Sequence, residues 1–364
     1  MTRHRIPGNP DEAARKLLGF LMDQKRIQGA MVLAEVNPGK YACTLITDPA
    51  LLDRAVPSVP LMPVNAGKMV SRLTMLEAAP GPIAVVLRPC ELRALFELAK
   101  LEQARLDNLL LVSFTCGGVL PTKSMLDGVD IGLESYREAL AAGGIPEGLR
   151  DTCRACERFV PEGADVTVAM VGNDGNGTTD VLAETERGGR FLDGWGDADE
   201  GELDAGVIEK LGKARAAGTA DVLGRFVPEK MGLTGLVSVF GRCINCRACS
   251  KACPVCYCSG CHFDSADAKQ DLAATRDDLD RRGGLRLPAG TVYYHVGRMI
   301  HVSLSCVGCG MCSDVCPVDI PVASVFTRLA GKAQEMFDYV AGRSADEAIP
   351  TSVFETEELE EVGA

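Results

Sequence analysis

Apolar residues in the first part of the chain follow two different spacings. Within residues 12–26 they recur every three or four positions, which predicts an amphipathic helix. Short apolar runs at 29–36 and 41–46 instead predict two strands. The chain therefore begins as a mixture of helices and strands.

A strand, a helix and a second strand come next. Residues 83–88 carry a buried-strand signal. Pro89 and Cys90 then open a helix that runs to about Ala104. Residues 109–114 form the following buried strand. This order predicts a βαβ unit with a parallel sheet.

Further strands are predicted on both sides of a glycine-rich loop. The strands cover 165–171 and 179–185, and the loop lies between them. Residues 193–234 are acidic and then rich in alanine, which predicts a helix that leads out of the domain. We therefore expect a domain boundary near residue 235.

Cysteine-rich segments replace the strand pattern beyond that boundary. Cysteines crowd residues 243–261 and 306–316, and the segment between them has a helical pattern. We predict an α+β or α/β domain over 1–234, a mainly α-helical domain over 235–335, and an acidic tail over 336–364. The tail is predicted to be a solvated end or a docking segment for a partner.

Composition narrows the class of protein. The chain has 364 residues, a net charge of -12 and 16 cysteines. The negative charge argues against nucleic acid as a partner, although acidity is also ordinary among proteins. The N-terminus lacks a secretory apolar run, and no stretch approaches the roughly 18 apolar residues of a membrane span. We therefore predict a cytoplasmic protein, in which clustered cysteines more often bind metal than form disulfides.

Two cysteine motifs carry the most specific chemistry. Each has the spacing C-x2-C-x2-C-x3-C followed by proline, which is typical of two-cluster ferredoxins. In such proteins the fourth cysteine of each motif binds the other cluster, and the proline turns the chain away toward it. Zinc sites and disulfides are alternatives, but zinc sites use cysteine pairs with a longer spacer. The predicted ligands of one 4Fe-4S cube are Cys243, Cys246, Cys249 and Cys316, and those of the other are Cys306, Cys309, Cys312 and Cys253.

Three more cysteines and a histidine follow the first motif directly. They are Cys256, Cys258, Cys261 and His262. Small polarisable thiols often pack beside a cluster loop. Three thiols and an imidazole could also hold a further metal such as zinc. Both interpretations stay open.

Four cysteines of the first domain occupy notable positions. Cys90 and Cys116 each follow a predicted buried strand, and ligands gather at the carboxyl ends of parallel strands. Cys153 and Cys156 form a C-x2-C pair. Four thiolates suffice for one more cube, and the alternative is a set of buried core thiols without function.

These segments resemble a known family, the flavin-containing β subunit of deazaflavin-reducing hydrogenases and formate dehydrogenases. The first matching pattern is VVLRPCELRALFELAKL followed by LLLVSFTCGG, and the second is TCRACERFVPEGADVTVAMVGNDGNGTTDVLAETERGG. The helical two-cluster domain is similar to those of heterodisulfide reductase and succinate dehydrogenase iron–sulfur subunits. The resemblance covers most of residues 80–190 and the C-terminal domain.

The resemblance implies a bound FAD with a 4Fe-4S cube beside it. The implied ligands of that third cube are Cys90, Cys116, Cys153 and Cys156. The implied flavin contacts are Asn173, Gly175, Gly177, Thr178, Thr179 and Arg187 on one side, and Asn65, Gly67, Lys68 and Ser71 on the other. Backbone N–H groups of a glycine-rich loop suit a pyrophosphate, although an ordinary surface loop stays an alternative for each group.

One position departs from the family pattern. Glu184 stands in the strand before Glu186 where an arginine is expected. If that arginine holds phosphate or deazaflavin, the hydride carrier here differs, and a nicotinamide or a protein partner takes its place. No G-x-G-x-x-G fingerprint for a nicotinamide is present in the sequence.

Together these features predict an oxidoreductase subunit whose catalysis is confined to the flavin. Electrons would pass between a hydride carrier, FAD, three 4Fe-4S cubes and a partner. The expected partner is a catalytic subunit of a formate dehydrogenase or hydrogenase, or a heterodisulfide-reductase-like complex. One alternative is a flavin-free dicluster subunit that only docks partners and relays electrons. The other is a colourless zinc-bearing interaction protein.

Overall fold

The computed structural model describes residues 2–126, 131–173, 177–265, 268, 272–284 and 290–353. In this part of the chain, eight strands form one mixed sheet. The strands are β1 (Thr2–Pro7), β2 (Gly29–Asn37), β3 (Lys40–Ile46), β4 (Ile83–Leu87), β5 (Leu109–Phe114), β6 (Val166–Val168), β7 (Thr178–Ala183) and β8 (Ala198–Glu200). Their order across the sheet is β3-β2-β4-β5-β6-β7-β1-β8.

Fourteen α-helices accompany this sheet in the described residues. The helices of the first half are α1 (Pro10–Asp23), α2 (Ala66–Thr74), α3 (Pro89–Lys100), α4 (Thr122–Leu126), α5 (Leu133–Ala141), α6 (Asp151–Arg154) and α7 (Glu186–Leu192). Those of the second half are α8 (Ala205–Val222), α9 (Pro228–Phe240), α10 (Ala248–Ala252), α11 (Leu272–Arg282), α12 (Thr291–Val302), α13 (Met311–Asp314) and α14 (Val322–Met336).

The centre of the sheet is parallel and its flanks are antiparallel. β2, β4, β5 and β6 run parallel to one another, and Ile83 of β4 pairs with Leu109 of β5. All six residues of β5 are buried, as expected for a strand that is covered on both faces. The predicted βαβ unit is confirmed as β4-α3-β5, and the mixed α/β class of the first domain is confirmed with it.

The first strand was not predicted from the sequence. β1 pairs antiparallel with both β7 and β8, so the N-terminus lies inside the sheet. Its sequence, TRHRIP, is mostly polar, and its pairing partners lie far along the chain. Local patterning therefore carries little signal for this strand.

Two predicted elements, α3 and β6, end earlier in the structure than the sequence indicated. α3 ends at Lys100 rather than at Ala104, because the chain turns at Glu102, whose φ is 57°. β6 ends at Val168 rather than at residue 171. The Thr115 hydroxyl accepts hydrogen bonds from the backbone N–H groups of Met170 and Val171 at 2.8 and 2.7 Å, so these residues leave the ladder.

The helical half packs around its own apolar core. Phe240 of α9, Met299 of α12 and Phe326 of α14 meet there, and cysteines of both motifs pack against them. The proposed boundary at residue 235 falls inside α9, which bends at Gly232. Of the proposed acidic tail, residues 354–364 lie outside the described residues. Tyr339, Ala341 and Ile349 are buried against Ala94 of α3 and Val307.

No helix in the described part of the chain is both long and apolar enough to cross a membrane.

Candidate iron–sulfur centres

The first predicted ligand set joins the two cysteine motifs. Burial raises the pKa of the Cys243 thiol, and the neighbouring thiols Cys249, Cys246 and Cys316 raise it further. Cys316 belongs to the other motif, so the folded chain brings the fourth cysteine to the first three. Cys249 is buried, whereas Cys246 is exposed. One corner of this set therefore faces solvent.

The second predicted set lines a single cavity. Cys253, Cys306, Cys309 and Cys312 surround it together with Arg298 and Phe326. Burial raises the pKa of Cys306 to about 11, and the backbone N–H of Gly308 opposes that shift. N–H groups pointed at thiolates are the contacts that tune cluster potentials. Cys253 comes from the first motif, as the crossed ligand pattern predicts.

The third set gathers four cysteines from separate elements. Cys90 lies in the first turn of α3, Cys116 follows β5, Cys153 lies in α6, and Cys156 follows that helix. Burial raises the pKa of Cys90 well above its ordinary value, and the thiols of Cys116 and Cys153 add to the rise. Burial and Cys116 also raise the pKa of Cys156. The structure thus places all four side chains in one neighbourhood.

Arginines and backbone groups surround the third set. Nη1 of Arg88 lies 3.7 Å from Sγ of Cys116, and the backbone N–H of Gly118 donates to the same sulfur over 3.4 Å. Arg215 donates to the carbonyl oxygens of Cys116 and Cys156 at 3.1 and 3.3 Å. These donors stabilise the loops that carry the thiols.

The three sets follow one another through the protein. Cys90 and Cys153 of the third set pack with Cys309 of the second set around Met62 and Met311. Cys312 of the second set lies close enough to Cys249 of the first for the charge of Cys249 to raise the pKa of Cys312. The order is therefore the N-terminal set, then the set around Cys306, then the set that ends at exposed Cys246.

The thiols are arranged differently from the ligands of a single ion. All sixteen cysteines are free. Among the described residues, no three histidine, cysteine or acidic side chains meet closely enough to hold one metal ion. A cube spreads its four irons over its corners, so its thiolates stand further apart than the ligands of zinc do.

The additional cysteines lie beside the second set. Cys256, Cys258 and Cys261 line one cavity together with Tyr294 and His301. A hydrogen bond between the thiols of Cys256 and Cys253 raises the pKa of Cys253 and lowers the pKa of Cys256. Cys258 is exposed. Packing beside the cluster loop and a further metal site both stay predictions.

Buried arginines provide a test of whether the sites fit negatively charged clusters. Arg93, Arg215 and Arg298 are all buried. No carboxylate of the described residues forms an ion pair with them, although the described chain contains many other such pairs. A buried cation is costly unless an anion compensates it. Cubes with thiolate ligands supply such anions, so these side chains fit 4Fe-4S groups.

Sequence reasoning missed these arginines. Arg93 and Arg298 each lie in a largely apolar stretch of a helix, LRALFEL and VGRMIHV. A single charged residue on the apolar face of a helix was the available signal.

The first group of predicted flavin contacts lies against the cysteine loops. Lys68 donates to the carbonyl oxygen of Cys253 over 2.7 Å. Burial raises the pKa of Cys309, and the fully buried side chain of Asn65 partly opposes that rise. Gly67 allows α2 to approach α3, because a Cβ atom there would lie 2.3 Å from the carbonyl oxygen of Glu91. Ser71 donates to the carbonyl oxygen of Gln103.

The second group lies at the opposite flank of the sheet. The Thr179 hydroxyl donates to the carbonyl oxygen of Gly8 over 2.8 Å, and Thr178 pairs with Pro7 of β1. Asn173 donates to the carbonyl oxygen of Ala169. Arg187 lies 3.9 Å from Asp165. Gly177 is described, whereas Gly175 lies outside the described residues.

The departure from the family pattern, Glu184, is half-buried. Burial raises the pKa of Glu184, while a hydrogen bond with Thr167 lowers it. Among the described residues no hydrogen bond joins the two groups of predicted flavin contacts, and the side chains of Asn173 and Thr179 already have protein partners. The flavin contacts stay predictions.

A large groove lies between loops of the sheet-containing part of the chain and of its helical part. Its volume is about 690 Å³, within the range of ligand-binding pockets. Lys123, Arg150 and Thr152 of the first domain line it together with Asp314 and Cys316 of the second. None of the predicted flavin contacts in the described residues lines this groove.

Two segments of the chain match known protein families. Residues 240–320 match the 4Fe-4S dicluster domain. Residues 128–208 match the C-terminal domain of the coenzyme F420 hydrogenase/dehydrogenase beta subunit. The predicted family resemblance is confirmed. The chain is an iron–sulfur protein of the electron-transfer class.

Two relatives match along nearly the whole chain. The F420-dependent formate dehydrogenase subunit beta of Methanocaldococcus jannaschii is 27% identical, and the match covers 93% of this chain and 93% of that protein. The F420-dependent formate dehydrogenase 1 subunit beta of Methanococcus maripaludis is 26% identical over 93% of this chain and 92% of its own. Both relatives are subunits of oxidoreductases by name.

A solved structure is similar at a lower level. A chain of the F420-reducing [NiFe] hydrogenase complex from Methanosarcina barkeri, solved after xenon derivatisation, has a TM-score of 0.45 and 14% identity. The match covers 64% of this chain and 92% of that chain. A likeness of this size carries no inference about function.

Proposed function

We propose that this chain converts hydride transfer at FAD into one-electron transfer through three 4Fe-4S cubes to a partner subunit. The observation that carries the proposal is that Cys90 and Cys153 of the third thiol set and Cys309 of the second pack against the same buried residues, Met62 and Met311. This packing places the third thiol set next to the two sets formed by the cysteine motifs, so the series of sets extends into the N-terminal domain. A dicluster adaptor without a third cube has no need of four gathered thiols there.

The flavin follows from electron counting. A hydride carrier delivers two electrons at once, whereas a cube accepts one. A flavin supplies the chemistry that joins these two modes. The relatives' names include F420, so we propose a deazaflavin as the hydride carrier, with a nicotinamide as the alternative that Glu184 keeps open.

The chain's own residues hold and protect the cubes. The three thiol sets provide twelve ligands, and the apolar core around Phe240, Met299 and Phe326 packs against cysteines of the first and second sets. Backbone N–H groups of Gly118, Asn245 and Ile320 point at the sulfurs of Cys116, Cys243 and Cys316, at distances of 3.4, 3.3 and 3.4 Å. Such bonds favour the thiolate form that binds iron.

The exposed end of the series indicates where a partner binds. Cys246 is exposed, and it belongs to the set furthest from the N-terminal domain. Electron transfer to another protein requires a cluster near the surface. We therefore propose that a catalytic subunit, such as that of a formate dehydrogenase or hydrogenase, or a heterodisulfide-reductase-like subunit, contacts the protein around Cys246.

The test is anaerobic purification of the protein with its partners attached, followed by iron, sulfide and flavin assays. Three cubes require about twelve irons and about twelve sulfides per chain, and we expect about one FAD. The same sample is then reduced with a deazaflavin or with NADH, and cube bleaching is followed by visible absorbance. About eight irons and no flavin would overturn the converter and leave a dicluster adaptor.

A further inference from the structure

Two buried arginines stand between the three thiol sets. Arg298 of α12 places Nη1 3.1 Å from Sγ of Cys249, a ligand of the first set, and it also lines the cavity of the second. Arg93 lies one turn after Cys90 in α3 and donates to the carbonyl oxygen of Val307, the residue next to Cys306, so it stands between the third and second sets. Both side chains are almost fully buried, at 2% and 7% exposure.

From this geometry we infer that Arg298 and Arg93 are buried cations that raise the reduction potentials of the neighbouring cubes into the range where electrons pass between them. Arg298 acts on the first and second cubes, and Arg93 on the second and third. The inference rests on the proposed function, because it requires the cubes to be present. It adds two residues that are not themselves ligands.

The physical reason is electrostatic. Each cube gains negative charge when it accepts an electron, and a buried cation nearby favours that reduced state. Arginine stays protonated in a protein, so its charge is constant. Removal of either arginine therefore lowers the reduction potential of the cubes beside it.

Both arginines are fixed in place by the surrounding protein. The guanidinium of Arg298 lies over the rings of Phe326 and Tyr294, 4.8 and 5.7 Å from their centroids. Arg93 donates from Nε to the carbonyl oxygen of Ala341 over 2.9 Å and from Nη1 to that of Val307 over 3.4 Å. Such contacts set the orientation of each guanidinium group and leave its charge uncompensated.

The experiment is an anaerobic potentiometric titration of the full-length protein with its partners attached, followed by electron paramagnetic resonance. Dithionite supplies the electrons, and each cube takes one. The variants are Arg298→Gln, Arg298→Lys, Arg93→Gln and the exposed control Arg54→Gln, whose side chain bonds only the carbonyl of Val36 among the hydrogen bonds described for it. Iron content is measured for every variant.

We expect Arg298→Gln to lower the potentials of the two dicluster cubes by at least a tenfold change in the reduction equilibrium, about 59 mV for a one-electron couple. Arg93→Gln should lower the third cube's potential instead, together with one of the dicluster cubes. Arg298→Lys keeps the positive charge, so the reduction potentials of its cubes should stay close to the wild-type values. This comparison holds even if Arg298→Gln loses cubes. Arg54→Gln should shift none of them.

Two outcomes would overturn the inference. Unshifted reduction potentials in Arg298→Gln and Arg93→Gln at full iron content would show that these cations do not tune the cubes. That result would leave the proposed function intact. If the reduction potentials fall as far in Arg298→Lys as in Arg298→Gln, the effect comes from packing rather than from charge. A wild-type protein without three cube signals would instead overturn the proposed function itself.

Discussion

The ammonium nitrogen of Lys68 lies 2.7 Å from the carbonyl oxygen of Cys253 and 2.7 Å from that of Lys251. Lys68 belongs to α2 of the first domain, and Cys253 belongs to the first cysteine motif. The two hydrogen bonds therefore tie α2 to the loop that carries Cys253. Burial lowers the pKa of Lys68, and the nearby thiol of Cys253 opposes that shift.

Replacement of Lys68 by methionine should weaken this connection. The variant Lys68→Met keeps the apolar stem and removes both charged hydrogen bonds, so we expect a loss of about 2 kcal/mol of stability. The loss should appear as a lower melting temperature and as faster amide hydrogen exchange in residues 248–253.

The matched control is Arg72→Met in the same helix. Arg72 is exposed, so its replacement should change the melting temperature little. Equal effects of the two variants would show that loss of positive charge on α2, rather than the contact with Cys253, sets the stability.

The third thiol set can be tested separately from the other two. Cys90→Ser removes one proposed ligand, so we expect the loss of about four irons per chain. The two dicluster signals in electron paramagnetic resonance should remain, but their reduction by the hydride carrier should slow by at least about tenfold, since the link to the flavin is lost.

The control for that variant is Cys43→Ser. Cys43 lies in the same domain, where burial raises its pKa to about 12, and it belongs to none of the three sets. Its replacement should leave iron content unchanged. If Cys90→Ser keeps all of its iron while Cys43→Ser loses some, the assignment of the third cube is wrong.

The C-terminal segment has a buried anchor that a single substitution can remove. Tyr339 Oη donates to Oε1 of Glu97 over 2.5 Å, and Lys100 lies 2.6 Å from the same carboxylate oxygen. Tyr339→Phe leaves the buried carboxylate with one donor fewer, so we expect a loss of about 1–3 kcal/mol. The readouts are thermal unfolding and hydrogen exchange of residues 338–350.

An exposed tyrosine provides the comparison for that loss. Tyr293 is 64% exposed, so Tyr293→Phe should leave the stability nearly unchanged. A Tyr339→Phe protein as stable as this control would mean that the segment is held by apolar packing alone.

His4 should make the stability depend on pH. Burial lowers its pKa below 6.5, whereas a backbone hydrogen bond with Trp195 raises it. The unfolded state therefore takes up the proton first. The stabilising contribution is complete above pH 6.5 and is lost as pH falls, by at most about 1.4 kcal/mol per pH unit.

The His4 contribution can be followed locally. Trp195 is the only tryptophan in the sequence, and its ring lies 5.3 Å from that of His4. Thermal unfolding measured by Trp195 fluorescence should show a pH dependence below pH about 6.5 that His4→Phe reduces. The exposed His301→Phe should retain it. A pH profile that is identical in all three proteins would contradict this account.

The sequence determined the parts whose signal is local. The two cysteine motifs predicted a dicluster domain because three thiolates and a Cys-Pro at fixed spacing define a cluster loop without reference to the rest of the fold. The strand-helix-strand order around α3 was likewise readable, since a buried parallel strand is an uninterrupted apolar run.

Only the tertiary structure decided which distant segments share one environment. β1 carries a polar sequence, and its place beside β7 depends on pairing across most of the first domain. The positions of Arg93 and Arg298 between thiol sets depend on helices from both domains. An arginine in an apolar helix marks an unusual site, but the anion that it faces is determined by packing. Spacing along the chain therefore determined the ligand motifs, and packing decided which charges surround them.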